Sequence, residues 1–259
     1  MYNVTTVNNM RRSDAATIAA GTPGRVLMYR AAQGIYDAVE WASPIAIICG
    51  KGNNAGDGYA LAQILDEKGY DVTVVRLFDE TSLDGAFYLD GCLKKNIKVK
   101  RYAEVDNFPE FRIFVDCVLG TGFSGDVGSP LKEIFARLNA SFAYTVSVDI
   151  NSGLSGDTGM GTDFLYSDLT VSIGSFKTGH FIGKGRFAAK ERANVDIGIA
   201  LIDEPYGVFD EDERYRLGPV DCDVILPYKD GYIVRIMSDV FFHHDREMLT
   251  KLLALSKEN

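Results

Sequence analysis

Ile45-Ala46-Ile47-Ile48-Cys49-Gly50-Lys51-Gly52-Asn53-Asn54-Ala55-Gly56-Asp57-Gly58 passes from an apolar, β-branched run into a glycine-rich loop, and Tyr59-Ala60-Leu61-Ala62-Gln63-Ile64-Leu65 resumes at helical spacing. The pattern is a strand, a tight loop and a helix N-terminus. Such a junction aims backbone N–H groups and the positive end of a helix dipole at whatever lies above the loop. Glycine suits the sharp turn and the close approach of backbone to a ligand. The stretch therefore predicts a site for a phosphate-bearing small molecule. The glycines read Gly50-x-Gly52-x-x-x-Gly56, one residue wider than the dinucleotide fingerprint, and no G-K-[ST] follows, which excludes a P-loop. Asn53, Asn54 and Asp57 add polar side chains that a plain strand–helix turn does not need.

Outward from this point the chain alternates. Helical spacing covers 7–19 and 24–42, where Leu27, Met28, Ala31, Ala32 and Ile35 recur on one face. Strand-like runs follow at 44–49, 71–77, 97–102, 112–119, 143–150 and 168–174. Helix-like runs fill 57–68, 81–95 and 129–139. Apolar strands alternating with helices predict an α/β fold: a doubly wound, mostly parallel, Rossmann-like sheet with helices on both faces. Ligands in such folds lie at the carboxyl ends of the strands. Those ends are polar and glycine-rich here: the Asn53-Asn54 loop, Asp116 before Gly120-Thr121-Gly122-Phe123-Ser124-Gly125-Asp126, and Asp149 before Asn151-Ser152-Gly153. Three such ends converge on one crevice.

The bulk numbers narrow the function. The 259 residues suffice for one large α/β domain or two small ones, and 46% hydrophobic with 24% charged residues is ordinary globular composition. A net charge of −9 argues against a general nucleic-acid binder. Cys49, Cys92, Cys117 and Cys222 form no C-x-x-C, and three of them read as buried free thiols in a reducing compartment. His180, His243 and His244 are too few and too badly spaced for a zinc site. The start lacks a charged n-region and an apolar h-region, and no apolar run approaches the roughly 18 residues of a membrane span, so a cytoplasmic protein without membrane partners is expected.

These motifs resemble the YjeF N-terminal family, the NAD(P)H-hydrate epimerases. The family's G-N-G-N-N-G-G-D-G stands here as Gly50 to Gly58, its D-x-x-x-G-T-G as Asp116 to Gly122, and its D-I-P-S-G-L as Asp149 to Leu154. The early M-R-x-x-D is Met10 to Asp14, L-M-x-x-A-G is Leu27 to Ala32, and Gly174-Ser175-Phe176-Lys177-Thr178-Gly179 is similar to the family's lysine motif. The likeness runs in order over roughly residues 4–200, which reads as one domain of residues 1–200 followed by an extension of residues 201–259.

The resemblance implies a metabolite-repair isomerase that interconverts the R and S forms of hydrated NADH and NADPH. It implies that Asn53, Asn54, Ala55, Gly56, Asp57 and Gly120, Thr121, Gly122, Phe123, Ser124, Gly125, Asp126 line the substrate pocket with Asp149 and Lys177. It further implies a potassium ion on Asn54, Asp116 and Ser152, and a homodimer. Asp149 is the candidate acid/base, because burial at the end of an apolar strand is expected to raise its pKa toward the working range. Lys177 is expected either to face a phosphate or to be a solvated loop lysine.

Four positions depart from the family pattern. Ala55 puts a methyl where glycine is usual, Asn151 replaces proline beside Asp149, Tyr29 stands where Glu or Asn is usual, and Ala32 replaces Gly. Tyr29 is expected near the ligand. In the extension, Asp203-Glu204 and Asp210 to Glu213 read as a solvated acidic linker, Tyr232 to Met237 as a strand, and Asp245 to Ser256 as an amphipathic helix. About sixty residues cannot hold the fused dehydratase domain of many relatives. Two rivals stand beside the epimerase: a non-catalytic binding or scaffold protein on the same fold, as in the enhancer-of-mRNA-decapping relatives, and an NAD-dependent dehydrogenase, against which the fingerprint speaks.

Overall fold

The structure is a computed structural model that describes residues 2–105 and 110–203, together with the backbone of residues 206–208, 222–228 and 231–236. In chain order the elements are β1 (Tyr2–Thr5), α1 (Val7–Ala19), α2 (Gly24–Ala38), β2 (Ile45–Cys49), α3 (Asn53–Glu67), β3 (Val72–Arg76), α4 (Leu83–Lys94), β4 (Lys98–Arg101), β5 (Ile113–Cys117), α5 (Ser129–Asn139), β6 (Tyr144–Val148), β7 (Ser167–Ile173), β8 (Phe176–Lys177), α6 (Gly185–Ala188) and β9 (Ala189–Val195). Three strands follow beyond residue 200: β10 (Tyr206–Val208), β11 (Cys222–Tyr228) and β12 (Gly231–Ile236).

Seven strands form the main sheet in the order β4-β3-β2-β5-β6-β7-β9, and every pair is parallel. The all-apolar β2 is buried along its whole length, as a strand covered on both faces must be. Ile45, Ile47, Val115 and Val146 face one way and pack with Ile35 of α2 and Leu61 and Leu65 of α3. Ala46, Ile48 and Phe114 face the other way and pack with Phe135 and Leu138 of α5. The sheet is thus doubly covered, as the alternation predicts. Its edges are β4 and β9, whose sequences Lys-Val-Lys-Arg and Ala-Lys-Glu-Arg-Ala-Asn-Val keep charge on the exposed edge.

Two boundaries differ by four residues from the sequence reading. Helix α2 stops at Ala38 rather than 42, because Val39 is already extended and the chain must straighten ahead of Pro44. Helix α3 begins at Asn53 rather than 57, so the second half of the glycine-rich stretch is its first turn and only 50–52 is loop.

A second sheet, β12-β11-β10-β1-β8, lies beside the first. Strand β1 runs parallel to β8, with Thr5 opposite Lys177, and antiparallel to β10. Backbone pairing therefore crosses residue 200. Asp203 is engaged as well: it takes an ion pair from Arg12 at 2.7 Å, and its N–H donates to Asn9 Oδ1 at 3.0 Å. The strand expected at Tyr232 to Met237 is β12, while the helix expected at Asp245 to Ser256 lies outside the described residues. Cys49, Cys92 and Cys117 are free and buried. Among the described residues no helix is long and apolar enough to cross a membrane.

Candidate active site

The strand order reverses between β2 and β5, and at such a switch point the loops leave in opposite directions and open a crevice. Two loops meet there. The Gly50 N–H donates to the Cys117 carbonyl at 3.0 Å, and a methyl group on Gly50 would sit 2.0 Å from the Val118 oxygen. Only glycine lets the loops come this close. The resulting pocket has a volume of about 650 Å³, within the range of small-molecule and cofactor sites. Its walls carry Asn53, Asn54, Asp57, Gly120, Thr121, Gly122, Phe123, Asp149 and Lys177, together with Met10, Arg11, Asp14, Lys51, Phe78 and Ile173.

The floor is an ion pair. Lys177 is 1% exposed, and its ammonium donates to Asp149 Oδ1 and to the Ile173 carbonyl at 2.8 Å. The Asp149 carboxyl also accepts the Thr121 hydroxyl at 3.0 Å and the Thr121 N–H at 3.3 Å. Asp149 has φ +68°, a left-handed conformation in which a non-glycine residue is strained. Its carbonyl meets His180 Nε2 at 2.8 Å, while His180 Nδ1 accepts the Lys177 N–H at 3.0 Å. With Nδ1 accepting, Nε2 carries the proton and donates. His180 is buried and neutral: burial, then the Lys177 charge, holds its pKa down at about 4.

Asp149 does not have the raised pKa expected from the sequence. Burial alone would push it up, but the Lys177 charge and hydrogen bond, helped by the Thr121 N–H, bring it below the usual carboxylate range. Lys177 is correspondingly neither a solvated loop lysine nor free to hold a phosphate. Asp57 is the carboxyl that goes up. Burial, then the charges of Asp149 and Asp14, raise it well above the carboxylate range, and Lys177 only partly opposes them. Asp14 is raised too, by burial and then by Asp84.

A cation site can be tested on the same walls. Both side-chain atoms of Asn54 are buried without a hydrogen-bond partner, at 8% residue exposure. An orphaned amide of this kind calls for a partner. Asn54 lies against Gly120, and Ser152 Oγ accepts the Leu119 N–H at 2.7 Å on the same turn. Buried Asp116 accepts from Ser152 N–H at 2.9 Å, Ser147 Oγ at 3.0 Å and Val118 N–H at 3.2 Å, and also from Ser152 Oγ. Burial still holds its pKa above the ordinary carboxylate value. An amide oxygen, a hydroxyl and one carboxylate suit a hard cation of low charge.

Several expected pocket residues lie elsewhere. Ala55 and Gly56 fall on the core side of the first turn of α3: Ala55 is fully buried in the core, and Gly56 abuts Met28 and Gly85. The Ala55 methyl therefore never meets a ligand. Ser124, Gly125 and Asp126 lie beyond the pocket wall, and Asp126 accepts the Thr162 hydroxyl at 3.2 Å. Tyr29 is half exposed on the outside of α2, not near the pocket. Asn151 compensates for the missing proline with a buried network: its amide donates to Leu165 O, Ser167 Oγ and Ala188 O and accepts Thr170 Oγ1 at 2.7 Å. Arg11 and Asp14 were not predicted as wall residues. Their signal was the i, i+3 spacing that puts both on one face of α1.

The family described as YjeF-related protein N-terminus matches the chain over residues 24–179. The NAD(P)H-hydrate epimerase of Rhodopirellula baltica is 30% identical over 189 residues, covering 69% of this chain and 77% of that one. The NAD(P)H-hydrate epimerase of Weissella koreensis is 32% identical over 212 residues, covering 77% and 93%. The bifunctional NAD(P)H-hydrate repair enzyme Nnr of Salinibacter ruber is 31% identical over 221 residues, covering 76% of this chain and 41% of that one. Among solved structures, yeast ynu0, YNL200c, superposes with a TM-score of 0.62 at 20% identity, covering 81% of this chain and 98% of that one, a likeness of fold.

Proposed function

The chain belongs to the family of YjeF-related N-terminal domains, and on that premise we propose that it is an isomerase that epimerises NADH and NADPH hydrated at C6 of the reduced nicotinamide ring. The observation that carries this reading is the buried Lys177–Asp149 pair on the floor of a switch-point crevice large enough for a cofactor-sized ligand. Inverting C6 requires a bond at that carbon to break and re-form, and the proton on the C6 oxygen must leave and return. Asp149, held ionised by Lys177 at the strained end of β6, is the base for that proton. Thr121 and the His180-bound carbonyl fix the direction in which its carboxyl points. Gly120 and Gly122 give backbone access to the pyrophosphate, and Arg11 and Lys51 are the cations on the wall for it. Asn54, Asp116 and Ser152 are the residues that would hold a potassium ion, which supplies positive charge next to an anionic ligand in an acidic chain. A homodimer belongs to the same proposal, supported by the exposed apolar side chains Leu83 and Phe87 on α4.

The test incubates purified protein with the R hydrate of NADPH, with and without potassium, and follows the R/S ratio by chromatography. Fast approach to the epimeric mixture is expected, slower without potassium. Asp149→Asn should lower the rate by about 10²- to 10⁴-fold with the fold intact. No acceleration by folded wild-type protein would replace the enzyme with a binding role.

A further inference from the structure

The acidic end of the pocket holds a carboxyl that the reading above does not use. Asp57 is part-buried on α3, it lines the same cavity as Asp149, and among the described residues no hydrogen bond or ion pair takes its side chain. Structural carboxylates in protein walls are normally capped or paired. The groups that face Asp57 from the surrounding elements are Asp14 of α1, Tyr88 of α4, Cys117 of β5, Asp149 after β6 and Lys177 of β8. The single cation among them is already engaged by Asp149. Two acids and a committed lysine leave no countercharge for an ionised Asp57.

We propose that Asp57 is the proton donor that works opposite Asp149, so that epimerisation runs on a split pair of carboxyls, one neutral and one ionised. This rests on the epimerase reading and assigns its second proton. The chemistry requires one: when Asp149 takes the C6 hydroxyl proton, the oxygen lone pair forms the aldehyde C=O, and the C6–N1 bonding pair goes to the ring nitrogen. That nitrogen is too basic to leave as an anion, and the Asp57 carboxylic acid protonates it. Rotation about C5–C6 then presents the other face of the aldehyde. Closure reverses both transfers: N1 returns its proton to Asp57, and Asp149 gives its proton to the new hydroxyl. Atoms and charge balance, and no oxidant, reductant or exchange of water is needed. The arrangement follows the general rule that paired carboxyls with environments of opposite effect divide into acid and base. Burial and the Asp149 and Asp14 charges favour the protonated form of Asp57, whereas Lys177 favours the ionised form of Asp149.

Two measurements on the full chain test it. In the epimerisation assay Asp57→Asn should lower kcat by about 10²-fold or more with KM changed only a few-fold, and Asp57→Glu, which keeps an acid, should recover at least tenfold over Asn. Carbon-13 carboxyl NMR of wild-type protein, with the Asp57 signal assigned by its loss in Asp57→Asn, should show a protonated Asp57 at pH 7. A kcat within threefold of wild type for Asp57→Asn, or an ionised Asp57 at pH 7, would overturn the proposal while leaving the epimerase reading in place. A wild type that does not epimerise sinks both.

Discussion

His180 shows how much one buried side chain can contribute to the pH response of the whole chain. It sits beneath Asp149 with both ring nitrogens occupied and is 2% exposed. In the unfolded chain it protonates near its ordinary 6.5, while in the fold it stays neutral down to about 4. Between those values the unfolded state binds more protons, so stability falls as pH drops from about 6.5 and levels off below about 4. Each pH unit inside the window removes at most about 1.4 kcal/mol. Asp149, whose pKa is lowered, adds its own loss only further down, as pH falls through its folded value. Asp57, Asp14 and Asp116, whose pKa values are raised in the fold, gain stability over the same range and oppose this loss, so the His180 share is read by comparison: in urea unfolding at pH 7 and pH 5, His180→Gln should lose less, or gain more, stability on acidification than wild type. The same corner marks what the sequence could and could not reveal at this scale. Asp149, Asn54, Asp116 and Ser152 were legible as polar residues at apolar strand ends. That Lys177 reverses the pKa of Asp149 was not, because 28 positions separate the pair and only β8 brings them together.

Helix α2 shows the balance of local and tertiary terms at the next scale. Gly34 lies mid-helix, where alanine would normally gain about 1 kcal/mol of helix propensity. Here a methyl would sit 1.9 Å from Cγ1 of Val195, on β9, and a β-branched strand residue cannot swing aside. Overpacking of this kind costs about 1–3 kcal/mol, so the clash wins and Gly34→Ala should lower the thermal midpoint. Val195→Ala removes the Cγ1 contact but leaves its own Cβ 3.0 Å from the new methyl, so Gly34→Ala should lower the midpoint much less in the Val195→Ala background than in wild type; calorimetry on the three variants decides. The helices and inner strands of the main sheet were legible because their apolar periodicity is strong. β9 was not, because an edge strand written Ala-Lys-Glu-Arg reads as loop in a sequence whose signal is burial. The start of α3 was misplaced for a related reason. Asn53 to Gly56 look like loop residues, yet they form its first turn and put Ala55 and Gly56 behind the site rather than in it.

The whole molecule joins two sheets of different character. The main sheet is built from neighbours in sequence, each strand followed by a helix and then an adjoining strand over most of its width. The fold class could be read from that alternation and agrees with the yeast structure at a TM-score of 0.62. Of the second sheet only β12 was legible, since β1 is four residues long and β8 is two. Yet that sheet carries Lys177, whose strand is paired with the first residues of the chain about 170 positions away. Contacts of such long range close late, because the entropy of a long loop must be overcome before they give anything back. The pairing that carries Lys177 is only two residues long, against ladders of four or more in most of the main sheet, so the site can open while the sheet remains intact. Enzymatic activity should vanish several degrees before the far-ultraviolet circular dichroism of the sheet changes, which would place the chemistry of this protein in its first-lost cooperative unit.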